Sequence, residues 1–388
     1  MKKIKTLNSI SPKGLEVLTS RGYIVGGDVE APDGILVRSA NMFSMEPNPE
    51  LLAIARAGAG TNNIPLESMS EKGIAVFNTP GANSDSVNEL AVCSLLMASR
   101  DIIAAVNWVR SIAGEGDQIP ELVEKGKSNF TGPELSGKTL GVVGLGAVGS
   151  KIAEAGLNLG MTVYGYDPYL SVEAAWHISG RVIPAADIGT IYHNCDYITL
   201  HVPYIDSTHH MVNSETIAKM KDGVRIINLA RGELVSDLDI IAAIETGRVA
   251  RYVTDFPNTL TAAVPGIIPM PHIGASTPES EDKCALMASE ELIDYLENGN
   301  IQNSVNFPSC RLERQGISRL CVIHKNVPKM IASILDVTSE QNINVEHMIN
   351  KARGEYAYTI IDLGSRADEE ISSKISALED VLRVRVID

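Results

Sequence analysis

The chain has 388 residues, enough for two or three domains of about 150 residues each. This length excludes a small disulfide-stapled scaffold, and a composition of 44% hydrophobic and 21% charged residues excludes a disordered or fibrous chain. The 48 acidic residues outnumber the 33 Lys and Arg, and the net charge of −15 argues against nucleic acid or an anionic membrane as a partner. No apolar run reaches the roughly 18 residues of a membrane helix, so we expect a cytoplasmic protein.

The cysteines and histidines do not predict a metal centre. The five cysteines are widely spaced and form no CxxC pair, so they predict neither a disulfide framework nor a zinc site. His209 and His210 adjoin in DSTHHM, but no further ligand is spaced to join them. We therefore expect no bound metal.

The first hundred residues alternate short apolar runs, at 34–38, 51–56 and 74–77, with helical patterns. This alternation predicts a parallel sheet with crossover helices. Apolar positions at helical spacing predict a long buried helix over 86–101. Residues 102–135 are less regular, and we expect a connecting arm that packs on a second subunit.

From residue 138 the pattern becomes strand, glycine turn, helix and strand, followed by short strands at 197–200, 225–229, 252–254 and 267–270. It predicts a six-strand doubly wound sheet, the Rossmann arrangement, closed by a helix near 279–298. The last 72 residues read as strand, helix, strand, strand, helix, strand, the βαββαβ order of a ferredoxin-like domain.

These patterns predict an α/β protein with three domains. The substrate-binding domain, which we expect to be flavodoxin-like, comprises 1–100 and 281–306, and the nucleotide-binding Rossmann domain comprises 101–280. Residues 307–316, with Pro, Cys and mixed charge, read as a linker, and 317–388 form the small C-terminal domain.

The strongest motif is a glycine turn for a dinucleotide. Gly144, Gly146 and Gly149 form GxGxxG directly after an apolar strand and directly before a helical pattern. These glycines permit a tight turn, a close approach of the backbone to a pyrophosphate, and close packing of helix on strand. Asp167 ends the next strand, where an acid accepts hydrogen bonds from ribose and repels a 2′-phosphate, so we expect NAD rather than NADP.

Two residues after later strands predict the reaction. Arg231 follows the strand RIINLA and His272 follows IIPM, so both lie at carboxyl ends of strands, where open α/β sheets bind ligands. A guanidinium suits bidentate capture of a carboxylate, and an imidazole can give a proton to a carbonyl oxygen. Either residue alone could instead be a surface Arg or a His bonded to backbone.

Five segments, NTPGANSDSVNELA, ELSGKTLGVVGLGAVG, LHVP, NLARGELV and PHIGAST, resemble the D-isomer-specific 2-hydroxyacid dehydrogenases. The resemblance covers residues 35–305. It implies that Arg231 binds the substrate carboxylate and polarises the keto group, and that His272 is the acid/base. It also implies two groups of binding residues. The cofactor set is Gly144, Gly146, Ala147, Val148, Gly149, Asp167, Pro168, His201, Val202, Pro203, Thr208, Ala230, Asp255, Gly274 and Ala275. The substrate set is Arg38, Ser39, Arg56, Gly60 and Asn62, of which Arg38 and Arg56 are the best charges for a phosphate, although each could be a surface ion pair.

One departure from the family concerns the catalytic His. The family usually supplies a Glu, a few residues after the position of Asp255, that hydrogen-bonds the His. No acid occurs between Asp255 and Glu279, and Thr259 and Leu260 occupy that place. We expect either that Asp255 substitutes for the Glu or that proton transfer is slower or shifted in pH.

The C-terminal segments HKNVPKMIASIL, INVEHM and YAYTIIDLG resemble an ACT domain. His324, Asn326 and Asn344 match positions that bind serine in regulated relatives, whereas Lys329 stands where relatives usually have Gly. The long Lys329 side chain can crowd that turn and so weakens the case for serine specifically. The expected effector is therefore serine or another amino acid. The alternative is an oligomerisation module without a ligand.

An ACT-like domain behind such a catalytic part implies NAD-dependent oxidation of D-3-phosphoglycerate to 3-phosphohydroxypyruvate, the first step of serine biosynthesis, by a homodimer or homotetramer. One alternative is a related enzyme that acts on another D-2-hydroxy acid. The other is a non-catalytic NAD-binding interaction protein, against which the intact Arg231, His272 and glycine turn argue.

Overall fold

The computed structural model describes residues 2–388, except the side chain of Glu173. The chain forms two compact units, one containing residues up to Asn83 together with Pro278–Asp388, the other containing Ser84–Thr277. Within the described residues, no helix combines the length and the apolar character needed to cross a membrane.

The N-terminal part of the first unit is a five-stranded parallel sheet in the order β2-β1-β3-β4-β5, the flavodoxin-like order that we expected. Strands β3 to β5 lie within or overlap the predicted apolar runs, but the pattern had not marked β1, where Lys alternates with apolar residues, or the three-residue edge strand β2. Its strands are β1 Lys3–Leu7, β2 Ile24–Gly26, β3 Gly34–Val37, β4 Ala53–Arg56 and β5 Ala75–Phe77, and its helices are α1 Pro12–Ser20 and α2 Leu66–Glu71.

The second unit contains a seven-stranded parallel sheet in the order β12-β11-β10-β9-β6-β7-β8. Read from β8, this is the Rossmann order with one further strand. The prediction of six strands missed β8, a two-residue edge strand. The strands are β6 Thr139–Val143, β7 Thr162–Tyr166, β8 Ile183–Pro184, β9 Tyr197–Leu200, β10 Val224–Asn228, β11 Val249–Thr254 and β12 Ile267–Pro269. The helices are α3 Ser84–Ser99, α4 Ile102–Ser111, α5 Ile119–Gly126, α6 Gly149–Asn158, α7 Val172–Ala175, α8 Ile188–Asn194, α9 Ser214–Ile217 and α10 Asp237–Glu245.

Three helices of this unit differ from the expectation. Helix α3 was assigned with the N-terminal sheet, but its face of Val87, Ala91 and Leu95 packs into the same core as Leu140 of β6. The 102–135 segment was expected to be irregular, whereas it forms α4 and α5. Neither helix contains a buried residue, so their placement owes little to core packing.

The C-terminal part of the first unit begins with a long helix and ends with a four-stranded antiparallel sheet in the order β14-β15-β13-β16. The predicted βαββαβ order and ferredoxin-like topology are confirmed. Its elements are α11 Pro278–Asn298, β13 Ser318–Lys325, α12 Met330–Glu340, β14 Val345–Arg353, β15 Tyr356–Leu363, α13 Glu369–Ser376 and β16 Val381–Ile387.

The segment 307–316 is not a loose linker. Phe307 and Cys310 are fully buried, and they share one hydrophobic core with Tyr295 of α11 and Tyr358 of β15. Cys310 also pairs with Ile301 in an isolated antiparallel bridge. The small C-terminal sheet therefore packs against the N-terminal sheet and α11 within one compact unit.

Arginines of the small sheet bind the end of α11. Arg319 donates to both carboxylate oxygens of Asp362, at 2.6 and 2.8 Å, and to the carbonyl of Asn298 at 2.7 Å. Arg385 donates to the carbonyls of Tyr295 and Leu296 at 3.0–3.1 Å. The last carbonyls of a helix lack intrahelical partners and carry partial negative charge, which these guanidinium groups satisfy.

Glu291 on α11 predicts a pH-dependent stability. The residue is 8% exposed, one carboxylate oxygen accepts from Asn303 at 2.7 Å, and the other has no hydrogen-bond partner among the described residues. Burial raises the pKa of Glu291 from 4.5 to about 8. The stability from its neutral form is thus fully present below about pH 4.5 and is lost as the pH rises through about 8.

The free energy of unfolding of the wild type should fall between about pH 5 and pH 9, because Glu291 ionises there. We therefore expect Glu291→Gln to reduce that fall by a few kcal/mol. Gln keeps the oxygen that accepts from Asn303 and carries no charge. Urea denaturation at several pH values measures this, with the exposed neighbour Glu290→Gln as control. Parallel curves for wild type and Glu291→Gln would contradict the expectation.

Candidate active site

The glycine turn lies between β6 and α6. Gly144 has a φ of +92°, and a Cβ there would lie 2.7 Å from the carbonyl oxygen of His201. A Cβ at Gly149 would lie 1.8 Å from the carbonyl oxygen of Gly144, so helix and turn touch backbone to backbone. A Cβ at Gly146 would meet nothing within 4 Å. The turn therefore requires two glycines for packing and leaves open space beside the third, just before the start of α6.

Asp167, at the end of β7, stabilises the glycine turn. Its carboxylate accepts the backbone N–H of Leu145 and that of Tyr169, each at 2.9 Å. The side chain is half-buried, and Pro168 after it is exposed. An acid in this place fits the expected contact with a ribose.

The segment after β9 lies directly beside Gly144, because β6 and β9 are neighbours in the sheet. His201 bonds Thr199 Oγ1 through Nε2 at 2.7 Å, and burial lowers the pKa of His201 to about 3, so its ring is neutral. Val202 follows His201, and the Thr208 hydroxyl donates to the carbonyl of Pro203 at 2.8 Å. The chain order of strands reverses between β6 and β9, the point at which doubly wound sheets bind ligands.

The loop after β10 carries Arg231. The side chain of Asn228 holds this loop, because it accepts the N–H of Ala230 at 3.2 Å and donates to the carbonyl of Arg231 at 2.8 Å. Arg231 is half-buried, in extended backbone, and its guanidinium donates to the carbonyl of Ala230 at 2.6 Å. Asn228 was not among the predicted site residues; its position at a strand end, three residues before the Arg, was the available signal.

Asp255 follows β11, the neighbour of β10, and His272 follows β12, the next strand in the sheet. Asp255 is 1% exposed; its Oδ2 accepts the N–H of Gly274 at 3.3 Å, and its Oδ1 has no hydrogen-bond partner among the described residues. Burial raises the pKa of Asp255, and the nearby charges of His272 and Arg231 oppose that rise. His272 is exposed, with its ring centroid 4.5 Å from that of Phe256.

The fold thus brings three of the predicted groups to one edge of the sheet. Arg231, Asp255 and His272 lie after β10, β11 and β12, which are consecutive in the strand order. Ala275 lies beside Gly274 in the turn after His272. Thr259 and Leu260, where the family has its Glu, are exposed next to Asn258, whose side chain accepts the N–H of Leu260. Asp255 is therefore the carboxylate available to His272 in this part of the described chain.

The predicted substrate residues lie in the first unit. Val37 and Arg56 are register partners, so Arg38 and Arg56 lie together at the carboxyl edge of β3 and β4, and Arg56 Nε donates to the carbonyl of Arg38 at 3.0 Å. Arg38 also forms a salt bridge of 2.7 Å with Glu281 on α11. Three further residues lie in the loops that follow these strands: Ser39, Gly60 and Asn62.

The predicted effector residues are unequally accessible. His324 is buried, and both ring nitrogens are bonded, to the carbonyl of Lys325 at 2.7 Å and to Thr359 Oγ1 at 2.9 Å. Asn326 and Asn344 are exposed. Lys329, in the place where relatives have Gly, has a φ of +70°, a conformation that favours glycine.

Similar proteins indicate the family of this chain. The family model described as D-isomer specific 2-hydroxyacid dehydrogenase, NAD binding domain, matches residues 92–274. A D-3-phosphoglycerate dehydrogenase of Methanocaldococcus jannaschii is 32% identical over 87% of this chain, which spans 63% of that relative. The corresponding enzyme of Dictyostelium discoideum is 30% identical over 87% of this chain and 81% of its own length.

A hydroxypyruvate reductase of Thermotoga maritima is 34% identical over 68% of this chain and 85% of its own length. Among solved structures, the NAD⁺-bound 3-phosphoglycerate dehydrogenase of Entamoeba histolytica aligns with a TM-score of 0.62 at 25% identity, over 79% of this chain and 98% of that one. The expected Rossmann fold and NAD as cofactor are confirmed. The chain belongs to the D-isomer-specific 2-hydroxyacid dehydrogenase family.

Proposed function

We propose that this chain is an NAD-dependent dehydrogenase that oxidises D-3-phosphoglycerate to 3-phosphohydroxypyruvate. The observation that carries the proposal is the set of Arg231, Asp255 and His272 at the ends of three adjacent strands, in the unit that holds the glycine turn. Alignment with D-3-phosphoglycerate dehydrogenases over 87% of the chain supports the substrate.

The residues of the second unit fit NAD. The open space beside Gly146 admits a pyrophosphate before the start of α6, and Asp167 suits a ribose. The unpartnered, buried Oδ1 of Asp255 is an acceptor that a carboxamide N–H of the nicotinamide would satisfy. The nicotinamide supplies the acceptor for the hydride that leaves C2 of the substrate.

The protein's own groups bind the substrate and move the proton. Arg231 offers a guanidinium for bidentate binding of the substrate carboxylate, and it stabilises negative charge on the oxygen at C2. The imidazole of His272 takes the proton of the C2 hydroxyl on oxidation and returns it in the reverse direction. In this assignment Arg38, Ser39, Arg56, Gly60 and Asn62 bind the phosphate end of the substrate.

A second candidate is the reduction of hydroxypyruvate or another 2-keto acid without a phosphate. The Thermotoga maritima relative favours it, and so does the salt bridge between Arg38 and Glu281, since a guanidinium bonded to a carboxylate holds a phosphate less strongly.

The rate of NADH consumption with 3-phosphohydroxypyruvate, hydroxypyruvate, pyruvate and 2-oxoglutarate decides between the two. A kcat/KM at least about tenfold higher for the phosphorylated acid, lost in Arg38→Ala, supports the proposed substrate. A preference for hydroxypyruvate supports the second candidate, and binding of NADH without turnover of any acid would overturn both.

We expect Asp255→Asn to lower kcat about tenfold or more and to change the acid side of the pH profile. Ionised Asp255 interacts electrostatically with the His272 imidazole, and burial raises the pKa of Asp255 above 3.8, so activity should fall as the pH drops through that raised value. Asn keeps an acceptor oxygen for Gly274 but cannot ionise. Profiles of kcat/KM from pH 5 to 10 measure this, with the exposed Asp222→Asn as control, and identical profiles would exclude Asp255 as the partner of His272.

We also propose a homodimer or homotetramer with amino-acid regulation. The exposed apolar side chains of α4, Ile103, Val106 and Val109, support contact with a second copy. The exposed amides of Asn326 and Asn344 support binding of an effector such as serine, with His324 held internally. Light scattering of the purified protein, and serine titration of its turnover, test the two parts separately.

A further inference from the structure

Three buried polar side chains lie beneath the loop of Arg231. Asn228 is 0% exposed at the end of β10, and Tyr252 and Thr254 are 2% and 1% exposed on the neighbouring strand β11. In the register of the two strands Asn228 is opposite Thr254 and Ile226 is opposite Tyr252, so the tyrosine hydroxyl points along the sheet toward its carboxyl edge, where it meets Asn228.

Both the oxygen and the nitrogen of the Asn228 carboxamide form hydrogen bonds within the protein. Its oxygen accepts the N–H of Ala230, and its nitrogen donates to the carbonyl of Arg231 at 2.8 Å and to the hydroxyl of Tyr252 at 3.2 Å. A rotated carboxamide would place oxygen against the Arg231 carbonyl and N–H against the Ala230 N–H, both repulsive. The loop thus has one arrangement in which all of these buried groups are satisfied.

The same network reaches the loop after β11. Thr254 is the register partner of Asn228, and its Oγ1 accepts the N–H of Phe256 at 3.1 Å. The ring of Phe256 packs against His272. A continuous series of contacts therefore joins the backbone of Arg231 to the aromatic ring that lies beside the proposed acid/base.

We propose that Asn228 and Tyr252 are positioning residues for the reaction, which hold the backbone of Arg231 so that its guanidinium meets the substrate carboxylate. This inference rests on the proposed function, in which Arg231 binds that carboxylate. An error of about 1 Å in the position of such a group can lower a rate about a hundredfold, so the loss of one hydroxyl beneath the loop should be measurable in kinetics.

A matched control exists in the same sheet. Tyr197 on β9 is also fully buried, and its hydroxyl bonds Ser99 Oγ at 2.8 Å, but this bond holds α3 to the sheet and touches none of the site loops. Tyr197→Phe and Tyr252→Phe each remove one buried, hydrogen-bonded hydroxyl. A purely structural role for Tyr252 would give the two variants the same kinetics.

The experiment measures kcat and KM for the preferred keto acid, the Kd of NADH and the Tm. It compares the wild type with Tyr252→Phe, Asn228→Ala, Tyr197→Phe and the double variant that combines Tyr252→Phe with Asn228→Ala. We expect Tyr252→Phe to lower kcat/KM about tenfold and Asn228→Ala about a hundredfold, with the Kd of NADH within about twofold of wild type. Tyr197→Phe should match Tyr252→Phe in Tm but keep wild-type kinetics. Because both residues act through Arg231, the double variant should lose no more than Asn228→Ala alone.

Equal kinetics for Tyr252→Phe and Tyr197→Phe, or multiplicative losses in the double variant, would overturn the inference. If the wild type reduces no keto acid, the proposed function fails, but a readout without turnover still decides the inference. Fluorescence of the NADH complex then gives its affinity for tartronate, an unreactive dicarboxylate that needs the same guanidinium. Weaker tartronate binding in Tyr252→Phe than in Tyr197→Phe supports the positioning role, and equal binding overturns it.

Discussion

Replacing His272 by Asn is expected to lower kcat about 10²–10⁴-fold while leaving the Kd of NADH close to that of wild type. The imidazole is exposed and packs on Phe256, so the substitution removes a proton carrier and little packing. Asn can still offer a hydrogen bond to the oxygen at C2, but it cannot accept and return a proton. The loss should therefore fall on the chemical step.

Single-turnover reduction of the preferred keto acid by bound NADH isolates that step. His193→Asn is the matched control, because His193 is also exposed and its ring bonds the carbonyl of Gly189 within its own helix α8. A His272→Asn rate above about a tenth of the wild-type rate would mean that another group moves the proton. Asp255, with its raised pKa, would then be the first residue to test in the same assay.

The largest expected change in stability comes from Arg319→Met, which should lower the free energy of unfolding by about 3–5 kcal/mol. Arg319 and Asp362 are both 0% exposed, and removing the guanidinium leaves a buried carboxylate without its counter-charge. The carbonyls of Asn298 and Leu312 also lose their donor, so the end of α11 is uncapped at the same time. Substitution of both partners, Arg319→Met with Asp362→Leu, should recover part of the loss because no buried charge is then left alone.

Urea denaturation followed by circular dichroism measures the change. The exposed pair of Lys374 and Glu370 in the same small domain is the control, and Lys374→Met should alter stability by less than about 1 kcal/mol. Equal effects of Arg319→Met and Lys374→Met would show that the buried pair is unimportant. If Arg319→Met destabilises the N-terminal sheet as much as the small C-terminal domain, the first unit unfolds as one cooperative body.

Local sequence patterns predicted most of the two parallel sheets and the small antiparallel one. Gly144 to Gly149 could be read as a nucleotide turn because its requirements are local: an apolar strand, glycines at fixed spacing and a helix. Arg231 and His272 could be proposed for a similar reason, since each directly follows an apolar run and strand ends of a parallel sheet collect at one edge. The arm at 102–135 was misjudged: it forms α4 and α5, two helices whose apolar side chains are not buried by the rest of the described chain.

The sequence by itself predicted the class of chemistry, through the types of residue that follow successive strands, and determined the order of the three sheets along the chain. Only the tertiary structure decided which side chains support the candidate site residues. The Asn228 and Tyr252 pair depends on the register of β10 against β11, and the burial of Asp255 depends on the turn at Gly274. The packing of 307–316 and the pair of Arg319 with Asp362 likewise join residues distant in sequence. The hydrophobic pattern of a sequence indicates which residues are buried. Hydrogen-bond partners and shared cores are set by strand register and packing, which no local pattern contains.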